Sequence, residues 1–500
     1  MTSTSGILTP AFASCEATPR PASTTMFTPP ACTRFAGACR VGSGLGPPVP
    51  SSVIHMLSCA LPAIVGHGSD GEARMPPAAE PSDRSTGTKC SDRLTGMSGG
   101  VSLPSVDEPI DLSAVRQFRL GRVRAEMTAR HIDACVLIDP VNIRYATDTR
   151  NMQVFTARNP ARYAFVPVEG PVILYEFTGA LHLGADAELV DEVRHATTAS
   201  FVAAGDGIAE RERRWAAELA DLVTGTCGAG ARLAVERVNA GAAIALAGHG
   251  FDLVDAQEPV ERARAIKSNE ELKCSMASMR ATEAAMAHME AFVEPGISEN
   301  ELWSHFHQKI IAAGGDYIET RLLTSGGHTN PWFQETGPKL LKPDELVAFD
   351  TDVVGCHGYY ADYSRTFHAG PGVPSAQQRE LYRLAHEQVH HNMAIIGPGV
   401  TFREYSEQAW NVPDRYMADR YYLSSHGVGM TGEYPYLYHQ IDFAHAGYDG
   451  VIEPGMTICV ESYIGEAGGS EGVKLEQQVL VTETGTELMS IYPFDDDLLA

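Results

Sequence analysis

Cationic side chains are scarce: 38 Lys and Arg stand against 63 Asp and Glu, a net charge of −25 over 500 residues. So acidic a chain is a poor general binder of phosphate backbones, and no nucleic-acid partner is expected. Long apolar runs are also missing. The longest, around Val53 to Val65, is interrupted by His55, Ser58 and Pro62 and is too short to span a bilayer, so no membrane partner is expected. The ten cysteines include no Cys-x-x-Cys pair, and five of them fall in the first 90 residues, which argues against both a zinc cluster and a disulfide framework. A reducing compartment, the cytoplasm, fits this usage.

Residues 1–105 lack any sustained helical or strand period and are rich in Pro, Ser, Thr, Gly and Ala. Such a stretch cannot bury enough apolar surface to offset its ordering entropy, and a disordered N-terminal extension is expected. Up to Ser69 its single acid is Glu16, against Arg20, Arg34 and Arg40. This resembles an organelle transit peptide, and a start placed too far upstream would read the same way.

Two α/β domains are expected beyond it, at residues 106–262 and 263–500. The first opens with a helical pattern from Asp111 (Leu112, Val115, Phe118, Val123, Met127) and the apolar strand Ala134 to Ile138. A hairpin follows around Glu169-Gly170, then a helix over Ala209 to Leu222 and strands at Arg232 and Phe251. Asp139 to Met152 reads as a polar loop, a place for a binding segment. The second domain opens at the capping box Ser268 with Glu271, and further boxes at Ser298 with Glu301, Ser375 with Gln378 and Thr401 with Glu404 start three more helices. Met286 and Met289, three residues apart on the first of these helices, read as core filler.

Between the helices lie strands bearing acids. Asp350 and Asp352 are one residue apart, so on a strand both would leave one face, and Asp362 returns beside them after a turn at Gly355 to Gly358. Three acids in an apolar frame repel one another unless a cation joins them. Downstream, His426 sits in Ser424-Ser-His-Gly-Val-Gly-Met430, Glu461 ends the apolar run Met456 to Val460, and Glu476 interrupts Val473 to Val481. Five carboxylates and one imidazole in this order can serve two divalent ions, and oxygen-rich ligation suits iron, manganese, cobalt or zinc.

This order and spacing resemble the creatinase and methionine aminopeptidase superfamily. The resemblance implies a creatinase-like N-terminal α/β domain, a pita-bread catalytic domain, and a two-metal centre held by Asp350, Asp352, Asp362, His426, Glu461 and Glu476. Asp139-Pro-Val-Asn-Ile-Arg-Tyr, Thr149-Arg-Asn-Met, Ala348-Phe-Asp-Thr-Asp and Ala361-Asp-Tyr-Ser-Arg are similar to one branch in particular, the dimethylsulfoniopropionate (DMSP) lyases of the DddP type. That branch implies a carbon–sulfur lyase acting on a small molecule, with iron the first choice of metal, and a homodimer in which the loop from Arg150 to Phe155 covers the pocket. Tyr421 matches its active-site tyrosine, and Trp332, Phe333, Tyr359 and Tyr360 are candidate walls for a sulfonium group. The branch places its proton-accepting aspartate six residues after the metal histidine, where this chain has Gly432. Glu433, next in line, or Tyr421 is then the expected base. The alternatives are an Xaa-Pro aminopeptidase or dipeptidase, another enzyme of small carboxylates, or a metal-bearing protein without turnover. Against the peptidases, no histidine follows His426 before His439.

Overall fold

The computed structural model describes residues 100–105 and 108–500; residues 1–99, where the disordered-extension and transit-peptide readings fall, lie outside the described residues. The extension does not reach 105 as expected. Val101 is buried against Leu272, Met276, Leu480 and Met489, and the amides of Val101 and Leu103 donate to the carboxylates of Glu483 and Glu487.

The N-terminal domain is built on a six-stranded sheet. Its strands are β1 (Ala134–Leu137), β2 (Tyr163–Pro167), β3 (Ile173–Glu176), β4 (Glu192–His195), β5 (Arg232–Val235) and β6 (Asp252–Asp255), in the order β4-β3-β2-β1-β5-β6. β1 pairs antiparallel with β2 and parallel with β5. It is buried on both faces: Cys135 and Leu137 join the helix Leu112–Ala129, while Ala134 and Val136 join Trp215 and Leu219 of the helix Ile208–Cys227. Helices on both faces explain why β1 reads as a continuous apolar run.

Asp139 to Met152 is not the expected polar loop. Asp139 caps the helix Pro140–Thr147, its carboxylate accepting from the Val141 amide, with Pro140 in the first turn where its missing N–H costs nothing. Every residue of that helix except Val141 is buried.

In the catalytic domain, β7 (Tyr317–Ile318), β10 (Val353–Val354) and β11 (Tyr360–Ala361) form one small sheet in the order β11-β10-β7. A second, ordered β12-β9-β8, contains β8 (Leu323–Ser325), β9 (Leu346–Asp350) and β12 (Ser364–His368). The largest, ordered β14-β13-β15-β16-β17, contains β13 (Ser425–Val428), β14 (Gly432–Leu437), β15 (Thr457–Gly465), β16 (Gly472–Val481) and β17 (Thr486–Leu488). Along β15 and β16, Ile458, Val460, Ile464, Val473, Leu475 and Val479 pack on the helix Ala376–Ile395. Strand alternation then sends Cys459, Glu461, Lys474 and Glu476 to the other face. β12 meets β16 through side chains: the Thr366 hydroxyl donates to the Lys474 carbonyl at 2.8 Å and accepts from its amide at 3.1 Å. Met286 and Met289 are fully buried among Leu302, Phe306 and Phe349.

The expected boundary at 262/263 cuts the helix Gln257–Ala265, whose Val260 and Ala263 belong to the N-terminal core. The catalytic domain starts instead with the capping box of Ser268 and Glu271 and the helix Asn269–Glu290. Capping boxes also open Ala376–Ile395 and Phe402–Gln408, whereas Ser298 caps Glu299–Ala312 by its own hydroxyl alone.

Candidate metal centre

Asp350 ends β9, and Asp352 does not continue the strand as expected. It occupies a turn at φ +43°, a left-handed conformation that an aspartate tolerates better than most side chains. Its carboxylate is held there by the hydroxyls of Thr320 and Tyr360, the latter at 2.9 Å. Asp362 lies between β11 and β12, its amide donating to the Gln478 side chain at 3.1 Å. Asp350, Asp352 and Asp362 each bring an oxygen to one shared point.

The second cluster joins Asp362 to His426, Cys459 and Glu476. His426 pairs with Cys459 across β13 and β15, and Glu461 with Glu476 across β15 and β16, so the sheet register sets the cluster. Glu461 sits within β15, which runs on to Gly465, and does not end it. A bulge between His426 and Gly427 turns the ring. Gly427 is required there, because a Cβ would stand 2.2 Å from the Tyr434 carbonyl oxygen. His426 Nδ1 lies 2.9 Å from the Gly427 carbonyl, which assigns the proton to Nδ1 and leaves Nε2 as a ligand. Nε2 faces Glu461 Oε1 at 3.3 Å, Asp362 Oδ2 at 3.7 Å and Glu476 Oε1 at 3.8 Å.

Two buried oxygens in this cluster, Asp362 Oδ1 and Glu476 Oε1, have no hydrogen-bond partner among the described residues. Buried acceptors left unpaired are costly, and here they point among other acids, so the donor set fits a cation. Burial and the neighbouring carboxylates push Glu476 up to about 8, Asp352 up to about 7 and Asp362 well above the carboxylate range. Against burial, Glu461 draws His426 up to about 9.

The sequence reading missed Lys474. Fully buried on β16, its ammonium contacts Glu461 Oε2 at 2.6 Å and Asp350 Oδ2 and Glu476 Oε2 at 3.0 Å each. Against burial, it holds Asp350 below the usual carboxylate range. It occupies the oxygens turned away from His426 and so fixes how Glu461 and Glu476 present their other oxygens. Five carboxylates less one ammonium leave a charge that two divalent ions neutralise. The signal was Lys474 two residues before Glu476, on the same face of a buried strand.

Above the cluster is a cavity of about 380 Å³ walled by Phe333, Tyr360, Tyr421, Tyr422 and Tyr436. The Tyr421 ring lies 4.9 Å from Lys474 Nζ, and burial with the nearby Glu461 raises its hydroxyl well above its ordinary value. Of the expected walls, Phe333 and Tyr360 line the cavity. Trp332 turns inward onto Tyr463 and leaves the wall to Phe333, while the Tyr359 hydroxyl is buried between Arg119 and Glu271.

Glu433 is not placed to act as the base. β14 alternates, so Gly432 faces the His426 ring while Glu433 turns the other way, into Arg264 at 2.5 Å and Lys267 at 2.6 Å. Glu433→Gln is expected to cost about 3–5 kcal/mol, since it strands two buried cations, and to leave turnover per folded molecule unchanged. Denaturant melts beside activity corrected for folded fraction check this; lost turnover at full stability would return Glu433 to the chemistry.

Residues 119–266 match the creatinase/prolidase N-terminal domain and residues 273–483 match metallopeptidase family M24. The dimethylsulfoniopropionate lyase DddP of Roseovarius nubinhibens is 36% identical over 80% of this chain and 90% of its own. DddP of Roseobacter denitrificans is also 36% identical, over 78% and 88%. Among solved structures, an Xaa-Pro dipeptidase from Bacillus anthracis aligns with TM-score 0.60 at 21% identity, covering 76% of this chain and 99% of that one. Dipeptidase PepE from Mycobacterium ulcerans aligns with TM-score 0.61 at 20% identity, covering 77% and 98%. At these identities the peptidases speak for the fold. The two DddP proteins speak for more, and the chain belongs to the family of the dimethylsulfoniopropionate lyase DddP, on the pita-bread fold of the M24 metallopeptidases.

Proposed function

We propose that this chain is a metal-dependent lyase that splits DMSP into dimethyl sulfide and acrylate. The observation that carries the reading is the cavity wall: five aromatic rings and a group of acids, with no Lys or Arg among its lining residues. A small cation is attracted to aromatic faces and to carboxylates, and a sulfonium is such a cation. The substrate's carboxylate has no cationic side chain to meet in that wall, so its place is at the acid cluster, once metals are bound there. Asp350, Asp352, Asp362, His426, Glu461 and Glu476 would hold two divalent ions. These would anchor that carboxylate and stabilise negative charge developing beside it.

The chain's own residues do the rest. Tyr360 and Tyr421 present hydroxyls and ring faces to the substrate, Lys474 orients the acids from behind, and Phe333 with Tyr422 encloses the sulfonium end. We propose iron as the metal, which the oxygen-rich set accommodates. A homodimer is supported by exposed Phe201 and Val202, and a cytoplasmic site by the free cysteines Cys135, Cys227, Cys274, Cys356 and Cys459 among the described residues. No helix among those residues is long and apolar enough to cross a membrane.

The peptidase alternative lacks an imidazole to polarise a peptide. His426 is the one histidine lining the cavity, and His439 Nε2 is occupied 2.9 Å from the Tyr421 carbonyl. The test is dimethyl sulfide release from iron- or manganese-loaded protein given DMSP, beside proline release from an Xaa-Pro dipeptide. Dimethyl sulfide with equimolar acrylate is expected; proline without dimethyl sulfide would overturn the reading.

A further inference from the structure

An elimination needs a proton acceptor that touches the substrate on one side and water on the other, because the proton must leave before the next turnover. Thr320 and Gly432 line both the cavity and a neighbouring cleft of about 870 Å³, whose walls come from both domains. Among the described residues, Glu319 is the one acid that lines both spaces. It follows β7, which pairs with β10, and its amide donates to the Asp352 carbonyl at 3.0 Å. Its backbone is thereby fixed against the acid cluster. The side chain is exposed to the cleft, so a proton it takes up has a route to water. The Tyr360 hydroxyl, in the wall of the same cavity as Glu319, donates to Asp352 at 2.9 Å. In that wall Gly432 offers no side chain, although a Cβ there would meet only the His426 ring at 3.8 Å and no positive φ calls for glycine.

We propose that Glu319 is the general base of the lyase reaction. Resting on the reading above, the inference adds its proton acceptor. The Glu319 carboxylate takes a proton from the carbon next to the substrate carboxylate, and the C–H electron pair becomes the new C=C bond. The C–S bond breaks with its electrons going to sulfur, which leaves as dimethyl sulfide, and acrylate remains. The neutral Glu319 carboxyl then returns its proton to cleft water.

Wild type, Glu319→Gln and Glu319→Asp are compared as metal-loaded enzymes by dimethyl sulfide release, metal content and calorimetric DMSP binding. Glu319→Gln is expected to lower kcat at least about 100-fold while keeping metal and DMSP affinity, with Glu319→Asp recovering part of the rate. A Gln variant within about threefold of wild type overturns the proposal. So does loss of metal in both variants, which would make Glu319 a support for Asp352. A wild type that binds metal but releases no dimethyl sulfide overturns the lyase reading itself, and the inference falls with it.

Discussion

Asp362→Asn is expected to leave a folded protein that no longer holds metal. Asp362 contributes to both acid clusters, and one of its oxygens is a buried acceptor without a partner. Loss of a supporting hydrogen bond alone weakens metal sites about 10–100-fold, so loss of a shared carboxylate is expected to cost more than about 100-fold. The stability effect has the opposite sign. Burial and Glu476 raise the Asp362 carboxyl in the folded protein, so its ionisation opposes folding as pH rises above its unfolded value. A neutral amide of the same shape removes that penalty. At neutral pH the metal-free variant should melt at or above metal-free wild type, and only wild type should gain on adding metal. Equal gains in both would sink the assignment of Asp362.

Lys474→Met is expected to do the reverse, destabilising the metal-free protein most. The ammonium is the counter-charge of Asp350, Glu461 and Glu476. Removing one partner of a buried ionic group costs about 3–5 kcal/mol, which for a domain of this size lowers Tm by about 10 °C. Metal affinity should also fall about 10–100-fold, because the oxygens that Lys474 pins are free to turn. Thermal melts with and without metal, followed by metal titration, read both effects. A Tm within about 2 °C of wild type would mean that the acids take up protons instead and that Lys474 is not their counter-charge.

The order Asp350, Asp352, Asp362, His426, Glu461, Glu476 was legible because each member interrupts an apolar strand or glycine-flanked turn where it needs a partner. Capping chemistry located the helices at Ser268, Ser375 and Thr401, since those signals are local. Parity was not legible. Neighbouring residues at a wall face opposite ways, and composition does not say which: Trp332 turned in and Phe333 out, Tyr359 went to the domain interface and Tyr360 to the cavity, Gly432 to the site and Glu433 away from it. Glu319 carried no motif, because its place depends on β7 finding β10. The helix at Pro140 was missed for another reason: its polar residues suggested a loop, and the Asp-Pro start signal was passed over.

The ion pairs of Glu433 bear on modularity. Arg264 lies in the last helix of the N-terminal domain, Lys267 in the linker, and Glu433 one residue from the glycine in the cavity wall. A catalytic half cut free at residue 269 would retain all five carboxylates and the imidazole of the centre, yet Glu433 would have lost both of its cations. The two halves are thus not interchangeable parts: an N-terminal domain transplanted from a relative works only if it brings an arginine to that spot.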